Sequence, residues 1–454
     1  MAIVFHPFRT GRLHDILTIT AQGECCAVYG LSNTGKSLLL RALAGDASLW
    51  AEYTYAGWRT ALPVYIDCNR VVELSAPGFY EIVVRAILET LEDASPTTSP
   101  GLLQFLREQH NLITAAPVVF RSSLAFNQAI SECCRQLERN LIFLLDEFDE
   151  IYGALEDRSL LNLRALRDKF AERLVYVAAT VRPLAECRSP GDNEFAELFA
   201  PHTVPLGLLD IADAERVVEA LSTKPLSSAV RQKVELLAGG HLGLLTALIH
   251  AAERLPEGDN GGEQLERLSN DPHARAECLK IWNQLRSEEQ AALKSLVSEP
   301  NGGLNPHDRS KLESLGLLTG ANQIFSELFA AFVRRQCSAP VSNAVGVVVD
   351  EDAGEVWVDG DKITVLTDLE YRLMRLLYQR RDRLTTKDMI VEAVWGTQYF
   401  DRVDDARIEK LVSRLRAKVE SDPAHPRYLQ TQRGRGYRLS SQPLDSRALD
   451  EETD

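Results

Sequence analysis

Gly30-Leu31-Ser32-Asn33-Thr34-Gly35-Lys36-Ser37 is the stretch on which the reading of this chain turns. Two glycines bracket four residues, and a lysine and a hydroxyl follow at once, which fits G-x-x-x-x-G-K-[ST] at every fixed position. The glycines let the backbone wrap a phosphate. The N–H groups at the head of the following helix supply donors and the positive end of its dipole. Lys36 can reach the outer phosphates of a bound chain, and Ser37 can place its hydroxyl on a divalent cation. The surroundings agree: residues 24–30, ECCAVYG, read as a short buried strand entering a glycine turn, and residues 36–44 as a helix.

Further short apolar runs follow at Leu62–Ile66, Leu141–Leu145 and Leu174–Ala179, separated by amphipathic stretches such as Tyr80–Leu91 and Ser122–Leu137. Buried strands alternating with helices predict a parallel α/β sheet. The run Asp93–Gly101, rich in Pro, Ser and Thr, reads as a surface loop. Leu141-Ile142-Phe143-Leu144-Leu145-Asp146-Glu147 is a central strand with two carboxylates at its C-terminal end. Asp146 is expected in the Mg²⁺ shell beside Ser37, and Glu147 is expected to polarise an attacking water, with Lys36 as its catalytic partner.

With these two motifs, residues 5–335 resemble the P-loop ATPases of the AAA+ and STAND type. The resemblance implies ATP or ADP with Mg²⁺, held by Gly30, Ser32, Asn33, Thr34, Gly35, Lys36, Ser37 and Asp146. It also implies a sensor strand: Val175–Pro183 fits, with Thr180 and Arg182 placed like the Thr-Thr-Arg ending in which the arginine senses the γ-phosphate. Gly239-Gly240-His241-Leu242-Gly243 resembles the Gly-x-Pro segment of the helical lid, with Leu242 where the proline should stand and His241 read as a capping or packing residue. His6-Pro7-Phe8 resembles the adenine-flanking strip. Arg188 is a candidate arginine finger, with a surface charge as the other reading. The segment Ala274–Gln336 resembles the winged helix that follows the lid in STAND proteins.

The last domain opens with a strand-rich segment, Val345–Val365. Thr367, with Glu370 three residues on, caps a helix. A second helix spans Lys387–Trp395 and a third runs to Val419. Strands Tyr428–Gln432 and Gly436–Leu439 then flank Arg433-Gly434-Arg435. That order is helix, helix, recognition helix, hairpin wing. Between Arg402 and Arg438 there are ten basic and five acidic residues, in a chain of net charge −15. Such a local excess is a footprint for phosphate backbone. Arg407, Lys410, Arg414 and Lys418 share one helix face, opposite the apolar Ile408, Leu411, Val412 and Leu415. Residues 345–440 resemble the effector domain of OmpR/PhoB-type response regulators. The resemblance implies Lys410, Arg414 and Arg416 on the groove-facing helix, Thr431 on a phosphate and Arg433 in the wing over the minor groove; Arg407 and Arg435 belong to the same basic surface.

The expected architecture is therefore multidomain, α/β plus α: a P-loop ATPase domain (1–207), a helical lid (208–268), a central winged helix (269–337), a linker (338–344), a DNA-binding winged helix (345–440) and an acidic tail (441–454). Eight cysteines without a C-x-x-C pair read as free buried thiols of a reducing compartment. No apolar run is long enough to span a membrane, and the first residues lack a signal-peptide pattern, so a cytoplasmic protein is expected. The expected function is an ATP-dependent switch that regulates transcription by binding double-stranded DNA, with self-association on ATP binding or a protein partner as further possibilities. Two other readings stay open: a DNA-remodelling or loading ATPase, and a conflict sensor whose winged helices contact proteins.

Overall fold

In this computed structural model the described residues are 9–53, 60–93, 99–115, 118–171, 173–188, 194–256, 260–298, 303–320, 322–337, 346–350, 354–363, 366–395, 405–423, 425–432 and 434–441. His6, Pro7, Phe8, Arg433, the linker 338–344 and the tail from residue 442 lie outside them. The chain divides into two compact bodies: residues 1–292 with 301–330, and residues 293–300 with 331–454.

The first body opens with α1 (Thr10–Ala21), β1 (Cys26–Tyr29), α2 (Lys36–Gly45), α3 (Ala47–Ala51), β2 (Ala61–Asp67), α4 (Ala76–Asp93), α5 (Pro100–Ala115) and α6 (Val119–Gln136). There follow β3 (Asn140–Asp146), α7 (Asp149–Ala154), α8 (Asp157–Lys169), β4 (Leu174–Thr180), α9 (Glu194–Glu197) and β5 (Thr203–Pro205). Every residue of β1, β3 and β4 is buried. Such unbroken burial requires cover on both faces, as in parallel sheets. The five strands are all parallel, in the order β2-β3-β4-β1-β5. This is the P-loop nucleotide-hydrolase arrangement that the motifs predicted. Inserting β4 between β1 and β3 sets three strand ends side by side: the loop after Tyr29, the Thr180–Arg182 turn and the Asp146–Glu147 pair. Ligands of open α/β sheets bind at that carboxyl edge.

A helical lid follows: α10 (Ile211–Leu221), α11 (Ser228–Ala238), α12 (Leu242–Ala252) and α13 (Gly261–Ser269). Its starts are legible as caps. Asp210 accepts from Asp213 N, Ser227 from Val230 N, and Asn260 forms a capping box with Glu263. The central winged helix comprises α14 (Pro272–Asn283), α15 (Ser287–Ser298), α16 (Pro306–Ser314), β6 (Leu318–Thr319), β7 (Gln323–Ile324) and α17 (Glu327–Cys337). Its backbone comes very near the lid. A Cβ on Gly239, whose φ is +57°, would stand 1.9 Å from the Phe325 carbonyl oxygen, so only glycine fits there. Ser326 Oγ donates to Leu237 O at 2.6 Å beside it.

The rest of the second body is β8 (Val347–Asp350), β9 (Glu355–Val358), β10 (Asp361–Lys362), α18 (Asp368–Gln379), α19 (Lys387–Val394), α20 (Asp405–Val419), β11 (Leu429–Gln432) and β12 (Gly436–Leu439). The first three strands form an antiparallel sheet and the last two a hairpin. Thr367 N donates to Glu370 Oε2 at 2.8 Å, as the capping pattern predicted. One core gathers Leu373, Leu377, Ile390, Val394, Leu411, Leu415 and Leu429. None of the eight cysteines is paired, and six of them are buried. Among the described residues no helix is long and apolar enough to cross a membrane.

Candidate functional site

The phosphate loop stands where its motif places it, between β1 and α2. Gly35, at φ +103°, turns the chain into the helix, and Asn33 adopts φ +59° at the apex. Thr34 Oγ1 donates to Leu31 O at 2.7 Å and is nearly buried. Gly30 N donates to Thr180 O at 3.1 Å, which ties the loop to β4. Lys36 is 3% exposed, and its ammonium donates to Gly30 O at 2.7 Å and Leu31 O at 3.1 Å. Burial lowers its pKa, opposed by the nearby Glu147, Asp149 and Asp146 carboxylates.

The acidic strand end lies alongside. Asp146 is buried and accepts the Tyr65 hydroxyl at 2.6 Å, and Arg41 Nε donates to that same hydroxyl at 3.0 Å. Glu147 is held at φ +50°, a strained position for a side-chain-bearing residue and one that recurs at functional sites. Burial raises its pKa, with Lys36 pulling the other way. Asp149 accepts Val181 N at 2.8 Å through one oxygen. Its other oxygen is buried and finds no partner among the described residues.

Above the loop lies a cavity of about 760 Å³. Asn33, Gly35, Lys36, Ser37 and Glu147 form one wall, and Leu242, Gly243, Thr246 and His250 of the lid form another. The volume falls in the range of small-molecule sites. The donor set suits a phosphate chain carrying a hard divalent cation. Ser37 and Asp146 offer oxygens, and the orphaned Asp149 oxygen is a spare acceptor for a water of its shell. Among the described residues no three His, Cys, Asp or Glu side chains are arranged to hold a metal unaided. The ligand's own phosphate oxygens would have to complete such a shell.

Several side chains without any motif complete the site. Arg9, buried at φ +63°, donates to Thr34 O at 3.0 Å, to Gly207 O at 2.8 Å and to Leu206 O, bracing the loop against the segment between β5 and α10. Burial lowers its pKa to about 10. His241 caps α12 by accepting Leu244 N on Nδ1, which leaves Nε2 to donate to Ser32 O at 3.2 Å. It is thus both the cap expected and a second tie to the loop. Burial lowers its pKa to about 4. With Leu242 in place of the proline, Gly243 allows the close approach: a Cβ there would come within 2.7 Å of Asn33 Cβ.

Two expected sensors are turned elsewhere. The Thr180 hydroxyl donates to Arg182 O at 2.6 Å and closes its own turn. Arg182 makes a two-pronged ion pair with Glu289 at 2.6 and 2.7 Å. Arg188, the candidate finger, donates to Tyr152 O and Leu155 O at 2.7 and 2.5 Å and pairs with Asp157.

In the second body, α20 buries Ile408, Leu411, Val412 and Leu415 and exposes Arg407, Lys410 and Arg414. Arg416 and Lys418 depart from the expected face. Arg416 Nε donates to Leu429 O at 2.9 Å and its Nη2 to Thr431 Oγ1 at 2.8 Å, while Lys418 pairs with Glu370 at 2.5 Å. Both stems are long enough to fold back onto acceptors that α20 itself does not supply. Thr431 and Arg435 are exposed on the hairpin. The wing is pinned at its base: the buried Glu420 accepts the Arg427, Tyr428 and Leu429 N–H groups at 2.7–2.9 Å.

Residues 361–439 match the family described as "Transcriptional regulatory protein, C terminal". A curated relative, the uncharacterized transcriptional regulatory protein YrkP of Bacillus subtilis (strain 168), is 40% identical over 93 residues. That stretch is 20% of this chain and only 39% of the relative's length. Among solved structures, the Walker-type ATPase of Pyrococcus abyssi aligns over 72% of this chain and 95% of its own, at 15% identity and a TM-score of 0.47. The Aeropyrum pernix ORC2 protein aligns over 72% and 93%, at 11% identity and a TM-score of 0.40. The chain therefore joins a P-loop nucleotide-hydrolase fold to a winged helix that matches, over residues 361–439, the C-terminal domain of transcriptional regulatory proteins.

Proposed function

We propose that this protein is a nucleotide-dependent switch that regulates transcription by sequence-specific binding of double-stranded DNA. ATP and ADP bind at the phosphate loop, with Gly30, Ser32, Asn33, Thr34, Gly35 and Lys36 around the phosphate chain. Ser37 and Asp146 would hold a Mg²⁺ ion, which would supply charge neutralisation there. Glu147 orients the attacking water for slow hydrolysis. Its raised pKa lets it accept a proton more readily than an ordinary exposed carboxylate would. Arg407, Lys410, Arg414 and the wing residues Thr431, Arg433 and Arg435 contact DNA.

One observation carries the reading. A phosphate loop opening on a cavity beside a strained strand-end glutamate shares its chain with a family-matched winged helix whose third helix exposes three basic side chains. A footprint of the full chain on genomic fragments, with ATP, with ADP and without nucleotide, is the test. The expected result is one discrete operator whose occupancy depends on nucleotide, with that dependence abolished in Lys36→Ala. Occupancy identical in every nucleotide state for both proteins overturns the switch. ATP-dependent coating of DNA without sequence preference would favour a loading ATPase instead.

A further inference from the structure

Three of the residues expected around a nucleotide's phosphates, Ser32, Asn33 and Arg182, are already engaged, and their partners come from one short stretch, Glu277–Glu289. Gln284, the residue that ends α14, accepts Ser32 N at 2.8 Å through Oε1, and its amide nitrogen donates to Ser32 Oγ. Asn33 Nδ2 donates to Glu277 Oε2 at 2.7 Å. Glu289, in the first turn of α15, takes both prongs of Arg182, whose Nη2 also donates to Gln284 O at 3.1 Å. The ion pair is enclosed, with side-chain exposures of 11% for Arg182 and 3% for Glu289. All these residues belong to the first body.

The chemistry of the partners is that of a phosphate. A carboxylate presents two oxygens to a guanidinium in the same planar fork that a phosphate uses. An amide oxygen on Ser32 N–H occupies a backbone donor that a phosphate loop otherwise offers to its ligand. We propose that Gln284 and Glu289 form a built-in stand-in for the γ-phosphate, so that ATP, and not ADP, must displace them to bind fully. The proposal rests on the nucleotide reading above.

The exchange is concerted. Removing Glu289 without a replacement would strand Arg182 as a buried unpaired cation, and a γ-phosphate arriving in its place avoids that cost. ADP brings no third phosphate and leaves the stand-in seated. Glu289 is three residues before Ala292, the last residue of α15 that counts with the first body; from Leu293 the same helix counts with the second. Displacement of Glu289 therefore acts on a helix whose last residues, from Leu293, belong to the second body.

The experiment uses the full chain and its Glu289→Gln and Gln284→Ala variants. ATP and ADP affinities are measured by calorimetric titration, and amide hydrogen exchange is followed over residues 277–292. The expected result is that each variant raises the ratio of ATP to ADP affinity about tenfold, through ATP alone. Exchange over 277–292 should speed up on adding ATP to the wild type and be fast beforehand in the variants. Gln284→Ala removes no charge, so it keeps the test alive if Glu289→Gln fails to fold. Nucleotide binding with an unmoved ratio overturns the stand-in while leaving the nucleotide reading intact. No binding of either nucleotide by any of the three proteins overturns both.

Discussion

The phosphate loop and helix α20 both carry cations that we propose meet phosphates, yet they hold them in opposite ways. At the loop, Lys36 is 3% exposed and turned onto its own carbonyls, and Arg182 is locked to Glu289. On α20, Lys410 and Arg414 are exposed beside a buried apolar stripe. A ligand at the first site must replace internal bonds one for one, so its affinity depends on how well it matches them. A ligand at the second meets a surface already laid out, so its affinity follows charge and salt. Selectivity is built into the closed site and reach into the open one.

The contrast breaks first at Lys36. Lys36→Ala removes a buried cation from the ligand side, and nucleotide affinity should fall about 100-fold, since charge-assisted bonds are worth up to about 3 kcal/mol. Affinity for a DNA operator fragment in the absence of nucleotide should stay put. Loss of both in parallel titrations would mean that the two sites are not separate in their chemistry.

His241 tests how far the loop depends on its ties. Its folded pKa, about 4, lies below the unfolded value of about 6.5. The unfolded chain thus binds the extra proton between those values, and stability should fall as pH drops from about 6.5 towards 4, by on the order of 3 kcal/mol. His241→Asn keeps a capping side chain and removes the titration. Urea unfolding at pH 7 and pH 5 should show a smaller acid loss in the variant, and an equal loss in both proteins would refute the assignment.

Gly239→Ala forces a Cβ into the Phe325 carbonyl at a positive φ, and should cost about 2 kcal/mol in a denaturant melt. An unchanged midpoint would mean that the lid and the central winged helix can part without penalty.

The smallest effect belongs to the open surface. Arg414→Ala should weaken operator binding by about 1–2 kcal/mol and lower the slope of log affinity against log salt by about 1. Arg416→Ala acts through the wing instead. Protection of the flanking minor groove should fade while protection over α20 persists. If both variants changed only the slope, the inward turn of Arg416 would not matter to binding.

Much of this molecule could be read along the chain. The loop, the acidic strand, the lid caps and the winged-helix order all have local signatures. Other elements have weak or misleading ones. β5 has three residues, one of them proline, and α13 opens on two glycines, with the Asn260 and Glu263 capping box as its one local signal. α5 starts at Pro100, inside the run Asp93–Gly101 that reads as a loop, because proline at a first helical turn looks the same in sequence as proline in a turn. The partners of the site were not legible. Arg9 meets Gly207 across 198 residues, and Arg182 meets Glu289 across 107. A pairing at that distance has no period and no spacing to betray it. Helix-face reasoning failed for Lys418 for a different reason: the wheel fixes where a Cβ points, and a long ammonium stem can still fold back to Glu370.

Glu420 carries a consequence for handling the protein. One carboxylate grips three successive amides where β11 begins, so both ends of the stretch 421–426 are anchored from outside it. Lengthening a short surface connection adds little closure entropy. A fluorescent label or short peptide tag inserted there would ride beside the recognition helix without shifting it, giving a reporter of DNA engagement placed a few residues from the surface it reports on.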